Sequence, residues 1–246
     1  MARAKQERAV RTRETILRAA AQVFDEYGFS GSSVSKIINQ AGTTQGAMYF
    51  HFKSKEDLAR AVMNEQASDL DLPEQPAGLR QLIDLNLYLA DELQGNVLLR
   101  AGVTLAVEQG QLGLRDFSPY EMWAEQFRAE LEAARRAGEL LDDVAIQELS
   151  QVLVAAYTGS QIMSHLRTGR ADLPERIAQL WWFLLPGMAT APVVAELRAF
   201  LAEHGAQRVA GQGQGPVPGT GHAAPGAARG TASGTVQGAM PGTRSA

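Results

Sequence analysis

Apolar residues recur with the period of an α-helix along most of this chain, and this pattern restricts the possible folds more than any other feature of the sequence. Ile16, Ala20, Val23, Phe24 and Tyr27 fall at positions i, i+4, i+7, i+8 and i+11, which places their side chains on one face of a helix. Patterns typical of strands are nearly absent. The sequence therefore predicts an all-α protein.

Residues that favour helix ends follow one another closely in the first part of the chain. Glycine permits the left-handed conformation that often ends a helix, and a serine or threonine side chain can cap the first turn of the next one. These boundary residues are Gly28, Ser32 or Ser33, Gly42, Thr43 or Thr44, and Ser54. They predict a compact three-helix domain with a basic N-terminal arm over residues 1–54, followed by a connecting helix.

Longer apolar stretches with helical periodicity follow residue 55 and predict a helical bundle over residues 55–205. The composition then changes, because residues 207–246 contain ten Gly, four Pro and no acidic residue. Such a segment cannot bury enough apolar surface to offset the entropy lost on ordering. Residues 206–246 are therefore predicted to form a disordered tail rich in Gly, Pro and Ala.

Charge is distributed unevenly along the chain. Residues 1–60 carry ten Lys or Arg against six Asp or Glu, whereas residues 61–246 carry thirteen against twenty-one. A basic first domain on an acidic body suits a protein that binds a polyanion, although a basic arm can also be only a solvated tail.

Cysteine is absent, which excludes disulfides and thiolate chemistry. No apolar run predicts a membrane span or a signal peptide, so the expected compartment is the cytoplasm.

Four aromatic side chains in a row, Tyr49 to Phe52, distinguish the stretch "TTQGAMYFHFKSKEDL". On a helix, Met48 and Phe52 lie one turn apart and face the core, whereas Gln45, Tyr49 and Phe50 occupy a separate arc. A short helix that displays such residues, preceded by another short helix, matches the helix-turn-helix layout in which the second helix enters the DNA major groove.

The residue types around this helix suggest individual roles in DNA binding. Gly46 allows close approach of the backbone, and Gln45 can hydrogen-bond a base edge, whereas Tyr49 and the nearby cationic groups can reach phosphates. Surface packing or solvation is the alternative for each side chain. The candidate DNA-binding residues are Arg3, Lys5, Arg8, Arg11, Thr43, Thr44, Gln45, Gly46, Ala47, Tyr49, Phe50, His51, Lys53 and Lys55.

Over "FDEYGFSGSSVSKIINQAGTTQGAMYFHFKSKEDL", the chain resembles the TetR family of ligand-responsive transcriptional regulators. The resemblance implies a three-helix helix-turn-helix head and a helical body that binds a ligand and dimerises. The segments "WAEQFRAELEAARRAGEL" and "AAYTGSQIMS" are similar to the actinomycete γ-butyrolactone autoregulator receptors. This second resemblance implies a lactone or butenolide effector and a tryptophan in its pocket.

Five residues of the body are candidates for effector binding: Gln66, Trp123, Phe127, Thr158 and Ile162. Trp123 offers a flat apolar face with one N–H donor and is the position that matches the receptors' pocket tryptophan. Thr158 could hydrogen-bond a ligand carbonyl. Phe127 follows Trp123 by one helical turn, and Ile162 follows Thr158 by one turn, so they would line the same pocket. The alternatives are core packing for the apolar residues, a bond to the preceding helical turn for Thr158 and a surface position for Gln66.

The tryptophans of "LWWFLLPGM" exceed what one buried helix face requires, so this stretch is expected to lie at a homodimer interface; burial within one subunit is the alternative. The leading hypothesis is a homodimeric repressor that binds a pseudopalindromic operator and is released by a small signalling molecule. A receptor-like relative responding to an antibiotic or its intermediate, and a ligand-independent regulator, are further hypotheses.

An enzyme is the hypothesis from another class, with Ser160 and His165 as its best catalytic candidates. The two residues are five positions apart, which places their side chains on different faces of a helix. The sequence also contains no nucleophile elbow and no metal-ligand spacing. We therefore expect a protein that is not an enzyme, with no cofactor and no metal.

Overall fold

The computed structural model describes residues 2–110 and 113–212, apart from the side chains of residues 2, 4, 5 and 209–212. The side chain of Lys5 and most of the predicted tail lie outside the described part of the chain. Within it, the helices in chain order are α1 (Ala2–Gly31), α2 (Val34–Ala41), α3 (Gln45–His51), α4 (Lys55–Asn64), α5 (Leu79–Gly95), α6 (Val97–Glu108), α7 (Ser118–Arg136), α8 (Ile146–Thr168), α9 (Leu173–Leu184) and α10 (Ala191–Gln212). The prediction of an all-α protein is confirmed.

The caps of the short helices follow the predicted residues. The Ser33 hydroxyl accepts from the Lys36 N–H at 3.2 Å, the Thr44 hydroxyl from the Ala47 N–H at 3.2 Å, and the Ser54 hydroxyl from the Asp57 N–H at 3.1 Å. Gly42 ends α2 in the left-handed conformation, with φ 58°. These bonds satisfy backbone donors that the first helical turn leaves free, so the local sequence determines where α2, α3 and α4 begin.

Helix α1 differs from the prediction at both ends. Gly28 leaves the helical conformation, with φ 65°, yet the helix continues beyond this kink to Gly31. At the other end, the backbone of the predicted basic arm forms the first turns of α1 from Ala2 onwards. The side chains of Arg3, Arg8 and Arg11 therefore project from a helix.

Helix α10 was not predicted, because the composition change near residue 206 indicated the end of the body. The helix continues to Gln212. Leu197 and Leu201 of α10 are buried against the body, and the Arg208 guanidinium lies 2.7 Å from the Asp91 carboxylate. The helix therefore runs past the composition change at residue 206, and beyond that position Arg208 still contacts the body.

Two separate clusters of buried apolar residues form the interior, and α6 runs between them. The head cluster contains side chains from α1 to α4, and the body cluster contains side chains from α5 and α7 to α10. Helix α6 contributes Leu98, Ala101 and Leu105 to the head cluster and Leu99 to the body cluster. A displacement of α6 would therefore change the packing of both clusters. No helix in the described part of the chain is long and apolar enough to cross a membrane.

Candidate nucleic-acid interface and internal cavity

Helix α3 has one buried and one exposed face, as predicted. Met48 and Phe52 are 0% and 2% exposed, whereas Tyr49 and Phe50 are 46% and 79% exposed. Gln45, Gly46 and Thr44 are also exposed, and Thr43, Ala47 and His51 are partly buried beside them. The arrangement presents a hydrogen-bonding amide, a glycine and two aromatic rings on one convex surface, which we call the α3 surface.

The basic side chains near the α3 surface have different surroundings. Arg8, Arg11 and Lys53 are exposed, and Arg3 is exposed and paired with Glu7 at 3.3 Å. Lys55 instead donates to the backbone carbonyls of Phe29 at 2.9 Å and Ser32 at 3.2 Å, which satisfies the end of α1. Lys55, expected among the DNA contacts, thus has an internal structural role.

A cavity of about 50 Å³ lies in the body, between α5, α6, α7 and α8, and the exposed Val107 is among the residues that line it. Gln66, Trp123, Phe127 and Thr158 line it, so four of the five predicted effector-binding residues are brought together. Ile162 does not line the cavity. The residues of α8 that do are Val154, Tyr157, Thr158 and Gln161, and Ile162 lies beyond the edge of this stripe.

Two polar atoms at the cavity wall have no hydrogen-bond partner among the described residues. Gln66 is 1% exposed and its Oε1 is buried and unpartnered, as is the buried hydroxyl of Tyr157. Burial raises the pKa of Tyr157 above its ordinary value, so the phenol stays protonated and can donate. Because buried polar atoms normally have partners, a ligand with one hydrogen-bond donor and one acceptor would complete this site.

Arg170 lies behind the cavity wall and holds one of its side chains. It is 4% exposed, and its Nε donates to Gln161 Oε1 at 3.2 Å while its second nitrogen donates to the Thr104 hydroxyl of α6 at 3.3 Å. No carboxylate pairs with it within the described residues, and burial lowers the pKa of Arg170. Arg170 also has a φ of 76°, which is unusual for a residue with a side chain.

Tyr157, Gln161 and Arg170 were missed in the sequence. A tyrosine and a glutamine in an apolar stretch of helix are a weak signal that could have identified the first two, because both fall on the face of α8 that carries Thr158. Arg170 follows the glycine that ends α8, where an arginine is ordinarily a surface residue. Its burial accompanies its contact with Thr104 of α6, which periodicity does not determine.

The turn that carries Gln66 is fastened to the head. Glu65 accepts from Arg13 of α1 at 3.0 Å, and Asp69 accepts from Arg18 of α1 at 2.7 Å. On the other side, a Cβ added to Gly102 of α6 would lie 2.5 Å from the Gln66 Cβ. The side chain at the cavity wall therefore stands where α1, α4 and α6 meet.

A second, open space of about 550 Å³ lies between α7 and α8, and we call it the α7–α8 groove. Tyr120, Val154 and Thr158 line both the groove and the cavity. These three side chains form the wall between the cavity and the groove.

Helices α8 and α9 expose large apolar side chains. Met163 and Leu166 are 61% and 80% exposed, and Trp182 and Phe183 are 39% and 76% exposed, whereas Trp181 is fully buried in the body cluster. Trp181 therefore belongs to the core, whereas Trp182 lies at the surface, and the homodimer interface expected at this stretch stays a prediction.

The arrangement around the enzyme candidates offers no nucleophile geometry. Ser160 is partly buried and His165 is largely exposed. Partial desolvation and the nearby Arg170 charge lower the pKa of His165. Within residues 2–110 and 113–212, no group of His, Asp and Glu side chains could hold a metal ion.

Comparison with known proteins assigns the chain to a family. The family model described as "Bacterial regulatory proteins, tetR family" matches residues 16–62, and "Tetracyclin repressor-like, C-terminal domain" matches residues 77–190. The A-factor receptor protein of Streptomyces griseus is 37% identical over 195 residues, which cover 79% of this chain and 70% of that protein. The chain belongs to the TetR family of transcriptional regulators. The matched ranges include the α3 surface in the first and most of the cavity wall in the second.

Solved structures of TetR-family proteins share the fold of this chain. TylP, a TetR regulator from Streptomyces fradiae, superposes with a TM-score of 0.70 at 37% identity, covering 84% of this chain and 99% of that one. A γ-butyrolactone receptor described as ArpA-like superposes with a TM-score of 0.58 at 30% identity, covering 80% and 96%. TylP is described as a regulator, and the family to which the chain belongs is one of transcriptional regulators, which are a non-enzymatic class of protein.

Proposed function

We propose that this TetR-family protein is a homodimeric repressor that binds a pseudopalindromic operator through α3 and is released by a small lactone or butenolide effector bound in the body cavity. The observation that carries the proposal is the position of Gln66. Gln66 lines the cavity, its buried oxygen has no partner among the described residues, and the turn that holds it is ion-paired to α1 of the head. An effector that bonds Gln66 thereby acts on the DNA-binding domain.

The α3 surface supplies the operator contacts. Gln45 and the Gly46 backbone face base edges, while Tyr49, Phe50, His51 and the exposed Lys53 lie beside the phosphates. Residues 43–47 form the first turn and its cap, and Arg3, Arg8 and Arg11 extend the basic surface along α1. One seven-residue helix reads only a few base pairs, so two copies related by a two-fold axis are needed for specificity. The exposed apolar residues of α8 and α9 are the surface on which the two copies pair.

The effector's chemistry follows from the cavity wall. Trp123, with Phe127 one turn away at a ring distance of 6.4 Å, offers an apolar platform for a flat ring. Gln66, Tyr157 and Thr158 offer hydrogen bonds to a carbonyl and a hydroxyl. A γ-butyrolactone or butenolide that carries a hydroxyl group offers a ring, a carbonyl and a hydroxyl, and the name of one relative, a γ-butyrolactone receptor, agrees with this class.

Release requires that the effector favour a conformation in which the two heads no longer match the operator. Helix α4 begins at the cap beside α3 and ends just before Gln66, ten residues or roughly 15 Å along the helix. Movement of the Gln66 turn therefore tilts α4 and changes the spacing of the recognition helices, which must remain about 34 Å apart.

A ligand-independent regulator is the second candidate, because the cavity of about 50 Å³ is far smaller than the few hundred cubic ångströms of an ordinary ligand site. In that case the body only dimerises. The unpartnered Gln66 and Tyr157 atoms favour the effector-released repressor.

A mobility-shift titration on DNA flanking the protein's own gene tests the proposal. The parent is expected to retard this DNA, and a synthetic acyl-γ-butyrolactone or culture extract is expected to free it. Tyr49→Ala should bind broadly weaker, whereas Tyr27→Ala, which alters an equally exposed ring on α1, should bind as the parent does. Retardation that no lactone, butenolide or extract reverses would favour the ligand-independent regulator.

A further inference from the structure

Tyr120, at the start of α7, contacts both the effector cavity and the core of the head. It lines the cavity and the α7–α8 groove, and, alone among the partly buried apolar side chains that the structure describes, it packs against both the head cluster and the body cluster. None of the sequence-predicted roles includes this residue.

The hydroxyl of Tyr120 fastens α7 to the last turn of α6. It donates to the Ala106 carbonyl at 3.0 Å, and the same carbonyl accepts from Gln109 Nε2 at 2.9 Å. Ala106 is buried in the head cluster, and α6 packs against both α1 and α4. The bond therefore joins the wall of the cavity to the helix that supports the head.

The size of the cavity means that its wall must move before an effector fits. A space of about 50 Å³ holds only a few water molecules, whereas the adjoining groove measures about 550 Å³ and is open. Tyr120, Val154 and Thr158 separate the two spaces. Of these, Tyr120 has the largest side chain, and its departure would join the cavity to the α7–α8 groove.

We propose that Tyr120 is the gate of the effector site: an effector enters from the α7–α8 groove, displaces the Tyr120 ring and breaks the Tyr120–Ala106 hydrogen bond, which frees the end of α6 to shift against the head. This inference rests on the proposed function. It identifies the access route and a positioning residue, and it makes the closed gate part of the DNA-binding conformation.

Tyr120→Phe tests the gate because it removes only the hydroxyl. The Ala106 carbonyl keeps its bond from Gln109, so no buried acceptor is left without a partner and the variant should fold. Since an ordinary hydrogen bond changes an equilibrium by about three- to tenfold, the gate should open more often by that factor.

The absence of cysteine from the chain allows a readout that needs no effector. A single thiol is introduced by Val103→Cys, which lines the cavity and not the groove, and its labelling rate with an uncharged maleimide is measured with and without Tyr120→Phe. The matched control is Ala155→Cys, which is exposed and lines the groove only. We expect Tyr120→Phe to accelerate labelling at position 103 about three- to tenfold and to leave position 155 unchanged.

Equal labelling rates at position 103 in the two backgrounds would overturn the proposal, since the cavity would then open by another route. Equal acceleration at both positions would also overturn it, because the substitution would have loosened the whole bundle. In the operator assay, Tyr120→Phe should be released by a synthetic acyl-γ-butyrolactone at an about three- to tenfold lower concentration than the parent. A parent that no lactone releases would contradict the proposed effector class, while the labelling result would still decide the gate.

Discussion

Lys53 and Lys55 are two residues apart beside α3, yet their surroundings differ in a way that separates DNA binding from stability. Lys53 is exposed at the edge of the α3 surface, whereas the Lys55 ammonium bonds two backbone carbonyls at the end of α1 and lies 4.0 Å from the centre of the Phe29 ring. Each cation therefore has one dominant role, and the two substitutions are natural controls for each other.

We expect Lys53→Ala to weaken operator binding at all sequences and to lower the salt dependence of binding by about one charge, with little change in stability. Lys55→Ala should instead lower the free energy of unfolding by about 1–3 kcal/mol, because two carbonyls lose a charged donor. Operator titrations at several salt concentrations and chemical denaturation measure the two effects. Equal loss of stability in the two variants would contradict this division.

Sequence patterns identified the exposed and buried sides of α3 at single-residue level, because Met48 and Phe52 are separated by one helical turn and Tyr49 and Phe50 are not in register with them. They did not identify the partners of Lys55 or the burial of Arg170. Both depend on contacts between residues distant in the sequence, and neither periodicity nor local motifs contain that information.

At the scale of helices, the proposed coupling between the effector cavity and the DNA-binding head depends on the crossing of α4 and α6. Gly102 permits it, since a Cβ at this position would meet the Val62 carbonyl oxygen at 3.0 Å as well as the Gln66 side chain. The close approach lets Gln66 contact the cavity while its neighbours remain ion-paired to α1. Any side chain at position 102 would push the two helices apart.

Gly102→Ala is expected to destabilise the protein by about 1–3 kcal/mol, as overpacking commonly does, and to make operator release less sensitive to effector. Gly205→Ala is the matched control, because a Cβ at that position of α10 meets no atom within 4 Å and alanine favours a helix over glycine by up to about 1 kcal/mol. Thermal unfolding of both variants tests the comparison. A neutral Gly102→Ala would show that the crossing tolerates separation.

The short helices of the head were predictable because their caps are local: a serine or threonine and the N–H three residues later suffice to define each start. Helix α10 was not predictable, because its attachment depends on residues that are distant in the sequence. Leu197 and Leu201 are buried in the body cluster, and Arg208 forms ion pairs with α5 and α9. The cavity was predictable only as a set of residues on two helices. Its wall between α7 and α8, with Tyr120, required the packed structure.

At the scale of the whole molecule, the proposed function gives the body two tasks: to hold the two heads at operator spacing and to respond to an effector. The exposed apolar residues of α8 and α9 serve the first task and the cavity serves the second. Because α8 carries both Met163 and the cavity residue Thr158, dimerisation and effector binding are expected to influence each other.

Truncation after Gln212 is expected to leave folding, dimerisation and operator binding unchanged, since the composition of residues 213–246 cannot support a core. Truncation after Ala206 should cost about 1 kcal/mol or less, because it also removes Arg208 with its ion pairs to Asp91 and Glu175. Unfolding midpoints and sizing chromatography of the two truncated proteins make the comparison. Loss of the cooperative transition in the longer protein would contradict the predicted role of the tail.

The central claim is that an effector in the body cavity releases operator DNA, and a release titration of Trp123→Ala tests it most directly. With circular dichroism as the folding control, the variant should bind operator with the parent's affinity. It should need about thirtyfold more acyl-γ-butyrolactone for release, the factor that corresponds to about 2 kcal/mol lost from a central aromatic contact. Trp123→Phe, which keeps an apolar ring, should fall between the two. Release of folded Trp123→Ala at the parent's effector concentration would contradict the account.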